Sequence, residues 1–213
     1  MGLTGISFSY SNSSLQERGL SLIKDHTSLT HCYSMRDFDI PLCYSNSPDG
    51  RVPDSVIKFD NTLSASDGIV FAIPEAGGHY CSAFKNVVDW LIVKNRFNSQ
   101  LGHGYSLSKK PTYILTFTPT LEGSGGRHFK MTKELLESKF GANVRKTIVF
   151  NNCWETVLPG NESYFANECL TIKEDFDSLT CKNSSLPDTT SQKSLDADKW
   201  LTSYQKWNNQ WTM

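Results

Sequence analysis

No run of strongly apolar residues exceeds a few positions, far short of the roughly 18 that a membrane-spanning helix needs. Charge of one sign does not accumulate either: 21 Lys and Arg stand against 22 Asp and Glu, a formal net charge of −1. The broadly basic surface of a nucleic-acid binder is therefore missing. The six cysteines include no C-x-x-C pair, no Cys/His group has zinc spacing, and no metal is expected. A G-x-S-x-G nucleophile elbow is also lacking. The opening MGLTGISFSY has no basic segment leading into an apolar one, so the expectation is a cytoplasmic protein with reduced thiols. The sequons at Asn12, Asn161 and Asn183 then read as chance products of a Ser- and Asn-rich composition. What remains suits a globular core: 213 residues, 38% of them hydrophobic, match one domain with an extension.

Along the chain, apolar strand runs alternate with helical periodicity. Strands are expected at Leu3 to Ser7, Leu29 to Met35, Gly68 to Ile73, Thr112 to Thr118 and Asn143 to Phe150. The run GIVFAI at 68–73 is apolar throughout, as in a parallel strand covered on both faces. Helices are expected at Leu15 to Lys24, at Val52 to Ala65 with Pro53 in its first turn, and at Phe129 to Phe140 before Gly141. Between them, Phe84, Val87, Val88, Leu91 and Ile92 make a sheet-facing stripe. Such alternation implies a parallel α/β sheet with right-handed crossovers, whose ligands bind beyond the carboxyl ends of the strands.

The segment after the third strand is the most informative. Residues 73–90 read IPEAGGHYCSAFKNVVDW. They resemble the T-P-E-Y-N-x-S-x-P-x-x-x-K-N-x-x-D-W run of the NADPH-dependent FMN reductase family, with Pro74, Glu75, Lys85, Asn86, Asp89 and Trp90 in ungapped register. SASDGIVFA resembles that family's lead-in strand, and the likeness extends over roughly residues 3–150. The resemblance implies a flavodoxin-like, doubly wound five-stranded parallel sheet of order 2-1-3-4-5. It implies FMN as cofactor and NADPH or NADH as co-substrate. It also implies a small-molecule electron acceptor and a homodimer, with Trp90 expected at the subunit contact.

The same resemblance assigns the site. GISFSYSNSSLQ occupies the place of the phosphate loop G-S-x-R-x-x-S-x-N, with Ser9, Ser11, Ser14, Leu15 and Gln16 as candidate phosphate-binding positions. Hydroxyls and amides at a helix start suit a phosphate; Ser13 or Ser14 is the expected N-cap. Pro74, Glu75, Ala76, Gly77, Gly78 and His79 are expected to carry the flavin ring, and Thr116 and Thr118 to meet its pyrimidine edge. Several positions depart from the family: Phe8 stands for Gly, Ser11 for Arg, Ala76 for Tyr and Gly77 for Asn. A lost guanidinium costs about 1.5–3 kcal/mol. Two readings follow: a reductase passing hydride from nicotinamide to FMN and on to a quinone, flavin or similar acceptor, or a binding or structural protein that kept the fold and weakened flavin binding. Cys81, with no basic neighbour in sequence, reads as a small core residue, and His26, His31, His103 and His128 as solvated or capping histidines.

Residues 1–152 form the expected FMN-binding domain and 153–213 an extension. Within that extension, about 175–198 reads as a flexible tether, followed by an amphipathic helix carrying Trp200, Tyr204, Trp207 and Trp211.

Overall fold

The computed structural model describes residues 2–43, 52–98, 105–121, 125–157 and 162–183. Strands β1 (Leu3–Ser7), β2 (Leu29–Ser34), β3 (Gly68–Ala72), β6 (Pro111–Phe117) and β7 (Asn143–Phe150) build one sheet in the order β2-β1-β3-β6-β7. Every neighbouring pair is parallel. Counted along the chain this is the flavodoxin-like order 2-1-3-4-5. All five residues of β3 are buried, as a central strand requires.

The period-2 alternation of β3 divides the core. Ile69 and Phe71 face a cluster formed with Val56, Phe59 and Leu63 of α2 (Asp54–Ala65), Phe84 and Val87 of α3 (Ser82–Asn98), and Leu136 and Phe140 of α4 (Phe129–Phe140). Val70 and Ala72 face the other cluster, with Leu20 and Ile23 of α1 (Leu15–Ile23). That second face is closed by α6 (Ala166–Asn183), which contributes Cys169, Ile172 and Phe176. A short hairpin, β4 (Glu75–Ala76) with β5 (His79–Tyr80), and the single turn α5 (Cys153–Thr156) complete the description. Among the described residues no helix is long and apolar enough to cross a membrane.

Two expectations are corrected. The tether expected from 175 is instead the last half of α6 as far as Asn183, because Phe176 is 2% exposed and anchors it to the sheet. The rest of the expected tether and the Trp200–Trp211 helix lie outside the described residues. Trp90 is 3% exposed and cannot form a subunit contact. Its Nε1–H donates to Pro41 O at 2.7 Å, so the segment after β2 covers a face the stripe left uncovered.

Candidate functional site

The loops after β1, β3 and β6 meet at the carboxyl ends of the middle strands. Phe8 N–H donates to Ala72 O at 2.9 Å and Ile73 N–H to Leu115 O at 2.8 Å, which ties the three strand tips together. Above them, Cys81 Sγ lies 3.2 Å from Phe8 O, and Arg127 N–H donates to Glu75 Oε2 at 3.1 Å.

In the first loop Ser14 is the N-cap of α1, its hydroxyl accepting from Glu17 N–H at 3.4 Å. Ser9 Oγ accepts from Ser11 N–H at 3.2 Å and Ser11 Oγ from Ser13 N–H at 3.4 Å. The resulting serine turns lead into the first helical N–H groups, which have no intrahelical partner. Leu15 is half-buried against the core beneath, leaving its peptide as its contribution to the loop. Gln16 differs from its expected place. Its Nε2 donates to Phe117 O at 2.6 Å and its Oε1 accepts from Phe117 N–H at 3.0 Å, so its amide clamps the end of β6. Arg18 also turns away, donating to Val157 O at 2.8 Å. One cation reaches the loop from outside it: Arg36, just beyond β2, donates from Nη1 to Ser11 O.

The second loop is a hairpin, not an open run into a helix. Gly77 (φ 59°) and Gly78 (φ 83°) form its tip, and two successive left-handed residues favour glycine at both positions. Ala76, Gly77 and His79 are exposed, while Pro74, Glu75 and Gly78 are half-buried. A Cβ on Gly77 would meet nothing within 4 Å. A Cβ on Gly78 would lie 3.5 Å from Cδ of Arg127, so the third loop brings a cation to the hairpin. Arg127 and Arg36 are the charged residues at these loops that sequence reading did not assign. The Gly-Gly-Arg succession of 125–127 hints at the first. Only tertiary contact reveals the second.

In the third loop the threonines are less open than expected. Thr118 is 7% exposed with its hydroxyl 3.0 Å from that of Thr120. Thr116 is fully buried and donates its hydroxyl proton to Ile73 O at 2.8 Å. It therefore accepts from His128 Nε2–H at 2.9 Å, which leaves Nδ1 to accept from Thr132 Oγ1 at 3.0 Å. His128 is thus a buried neutral pin between loop three and the base of the hairpin, neither solvated nor capping through its side chain. Burial holds its pKa below the ordinary 6.5, against the opposing pull of Glu75 and the Ile73 backbone. The unfolded chain takes up this proton first as pH falls, so stability is full above 6.5 and is lost below it, down to the depressed folded value. Urea midpoints measured from about pH 7 to about pH 5 should fall less steeply in His128→Gln than in the wild type.

A concavity of about 570 Å³ lies elsewhere, along the flank of β2 and α2 between His31, Tyr33, Ile57 and Lys58. None of the three strand-tip loops contributes to it. The convergence of donors, open glycines and cations is at the strand tips.

A profile of the NADPH-dependent FMN reductase family matches residues 5–155, a span that includes all three loops. The chain belongs to the NADPH-dependent FMN reductase family. Its members are NAD(P)H-dependent FMN oxidoreductases. The chain is similar to a Lactobacillus johnsonii protein described as NADH-dependent flavin reductase subunit 2, at 28% identity over 111 residues, 52% of this chain and 50% of that one. It thus spans about half the length of the curated relative it matches. Among solved structures, the fold is similar to that of the Paracoccus denitrificans flavoenzyme NAD(P)H:(acceptor) oxidoreductase FerB. There the TM-score is 0.59 at 15% identity, with 85% of this chain and 97% of that one covered. An oxidoreductase from Corynebacterium diphtheriae superposes with TM-score 0.52 at 19% identity, covering 85% and 98% of the two chains.

The residues of this family member suit FMN. Ser7 Oγ, at the last residue of β1, is buried with no hydrogen-bond partner. An unmet buried hydroxyl costs about 1–3 kcal/mol, so a polar group arriving at this strand tip is favoured there. The backbone at Gly77 is open to close approach, since nothing lies within 4 Å of a Cβ placed there. Cys81 is no competing nucleophile, since burial pushes its thiol above the ordinary value. Tyr10, in the first loop, has its phenol pushed upward by partial burial and by the nearby Asp39 and Cys81.

Proposed function

We propose that this reductase-family chain binds FMN at the three strand-tip loops and acts as an NAD(P)H-dependent oxidoreductase. The chemistry supplied by bound FMN is acceptance of a hydride from NADPH or NADH and delivery of the electrons to a quinone, flavin or similar small acceptor. Ser9, Ser14 and the amides at the start of α1 hold the phosphate, and the Pro74–His79 hairpin supports the ring. Gln16 keeps the end of β6 against α1, and His128 keeps loop three against the hairpin. No side chain is assigned as a proton donor or acceptor, because hydride transfer to the flavin needs none from the protein. A homodimer belongs to the same proposal, with its contact elsewhere than Trp90.

The observation that carries this reading is that the capped start of α1 and the open Gly-Gly hairpin follow the carboxyl ends of two adjacent parallel strands, β1 and β3, in a member of this family. The purified protein should acquire flavin absorbance on titration with FMN and then oxidise NADPH. A protein that stays colourless in excess FMN and leaves NADPH untouched supports the other reading, a flavodoxin-fold binding protein. Ser11, Ala76 and Gly77, the positions that depart from the family pattern, are what favour that second reading.

A further inference from the structure

We propose that Arg36, from the turn after β2, supplies the guanidinium that binds the FMN phosphate; this rests on the flavin reading above. The first loop has no arginine of its own, and Ser11 stands where the family carries one. In the folded chain a guanidinium nevertheless lies at Ser11, because Arg36 Nη1 donates to the Ser11 carbonyl across 25 residues of sequence. A guanidinium thus reaches the loop from the turn after the neighbouring strand, paired there with Glu17.

The arginine is held in place from three sides. Its Nη2 pairs with Glu17 Oε2 at 2.5 Å, on the first turn of α1. Glu17 Oε1 in turn accepts from Ser34 Oγ at 2.7 Å. Ser34 Oγ also accepts from Arg36 N–H at 3.3 Å, and Ser34 N–H donates to Asp37 Oδ2 at 2.7 Å. This capping box fixes the turn Met35–Asp37 on which Arg36 stands. Two of the five guanidinium N–H groups are committed to Ser11 and Glu17, which leaves three for an anion. With 34% of its side chain exposed, Arg36 is reachable from the loop, where Ser9 to Ser13 are half-buried or exposed. Arg18 cannot take this part, since its own guanidinium is turned to Val157.

A purely structural Arg36, bridging Glu17 to the loop, would matter equally for any flavin. A phosphate ligand matters for FMN and not for riboflavin, which has the same ring and no phosphate. The full-length wild type, Arg36→Gln and Arg36→Lys are therefore titrated with both flavins, following the quenching of flavin fluorescence, with thermal melts to compare the folds. Arg36→Gln should weaken FMN binding about ten- to hundredfold, the value of one charge-assisted hydrogen bond, and leave riboflavin unchanged. Arg36→Lys should keep more of the FMN preference than Arg36→Gln does. Adding Ser11→Arg to Arg36→Gln should restore that preference by returning the guanidinium to the loop, which also guards against a folding defect in the single variant. Unchanged FMN affinity in Arg36→Gln, or an equal loss for FMN and riboflavin, overturns the proposal while leaving the flavin reading intact. A wild type that takes up neither flavin overturns both.

Discussion

Ser14→Asp should abolish FMN uptake at concentrations that saturate the wild type, with the fold retained. Aspartate is as good an N-cap as serine, and the first turn of a helix favours its charge, so α1 keeps its start. The Glu17 N–H that Ser14 now meets at 3.4 Å keeps an acceptor. What changes is the sign of the loop toward a phosphate. A unit charge about 4 Å from another of the same sign costs about 4 kcal/mol at an effective dielectric of about 20. That is roughly a thousandfold in Kd. Riboflavin, lacking the phosphate, should lose far less, and Ser14→Ala should behave differently again, losing a cap and gaining no repulsion. The check is a pair of fluorescence titrations for each variant. Equal FMN affinity in Ser14→Asp and the wild type would remove the phosphate from the start of α1.

The fold was legible because its signals are local. GIVFAI reads as a doubly covered strand without reference to any other segment, and β3 is buried along its length. The stripe from Phe84 to Ile92 likewise names its own face, and four of its five residues are fully buried. The loops that make the candidate site were legible for the same reason, since their family resemblance is written in consecutive residues. Individual roles within them were not, because they depend on partners far away in sequence. Gln16 is clamped to Phe117, 101 residues on, and no pattern around it announces that. Trp90 lies off the apolar stripe, and its Nε1–H is met by Pro41 O from the segment after β2. His128 needs Thr116 and Thr132 on either side before it becomes a pin instead of a loop residue. The hairpin at Gly77-Gly78 was hidden differently: two adjacent glycines read equally well as a passive loop or as the tip of a tight turn.

Phe176→Ala should destabilise the domain by about 3–5 kcal/mol, the usual cost of emptying a buried phenylalanine site. Such a loss is a large share of the roughly 5–15 kcal/mol that holds a domain folded. In sequence this phenylalanine sits at the start of a stretch rich in Ser, Thr, Asp and Lys, with too few apolar residues to indicate a packed helix. In the structure its ring lies over Gly68 at the start of β3, so close that a Cβ there would come within 2.9 Å of Cε2. The glycine and the aromatic ring fit as a pair, and the neighbouring residue locks them in register. Asp175 takes a bidentate bond from Arg145 of β7, at 2.7 and 3.0 Å, and accepts from the Tyr113 hydroxyl of β6 at 2.8 Å. The arginine bond leads the causes that hold the Asp175 carboxyl below the ordinary carboxylate range, so this contact is charged at neutral pH. A tether would tolerate the same substitution within about 0.5 kcal/mol, as exposed positions do. Chemical denaturation of the two proteins therefore separates a packed C-terminal helix from a loose tail. A Phe176→Ala midpoint equal to that of the wild type would mean that α6 does not hold the sheet.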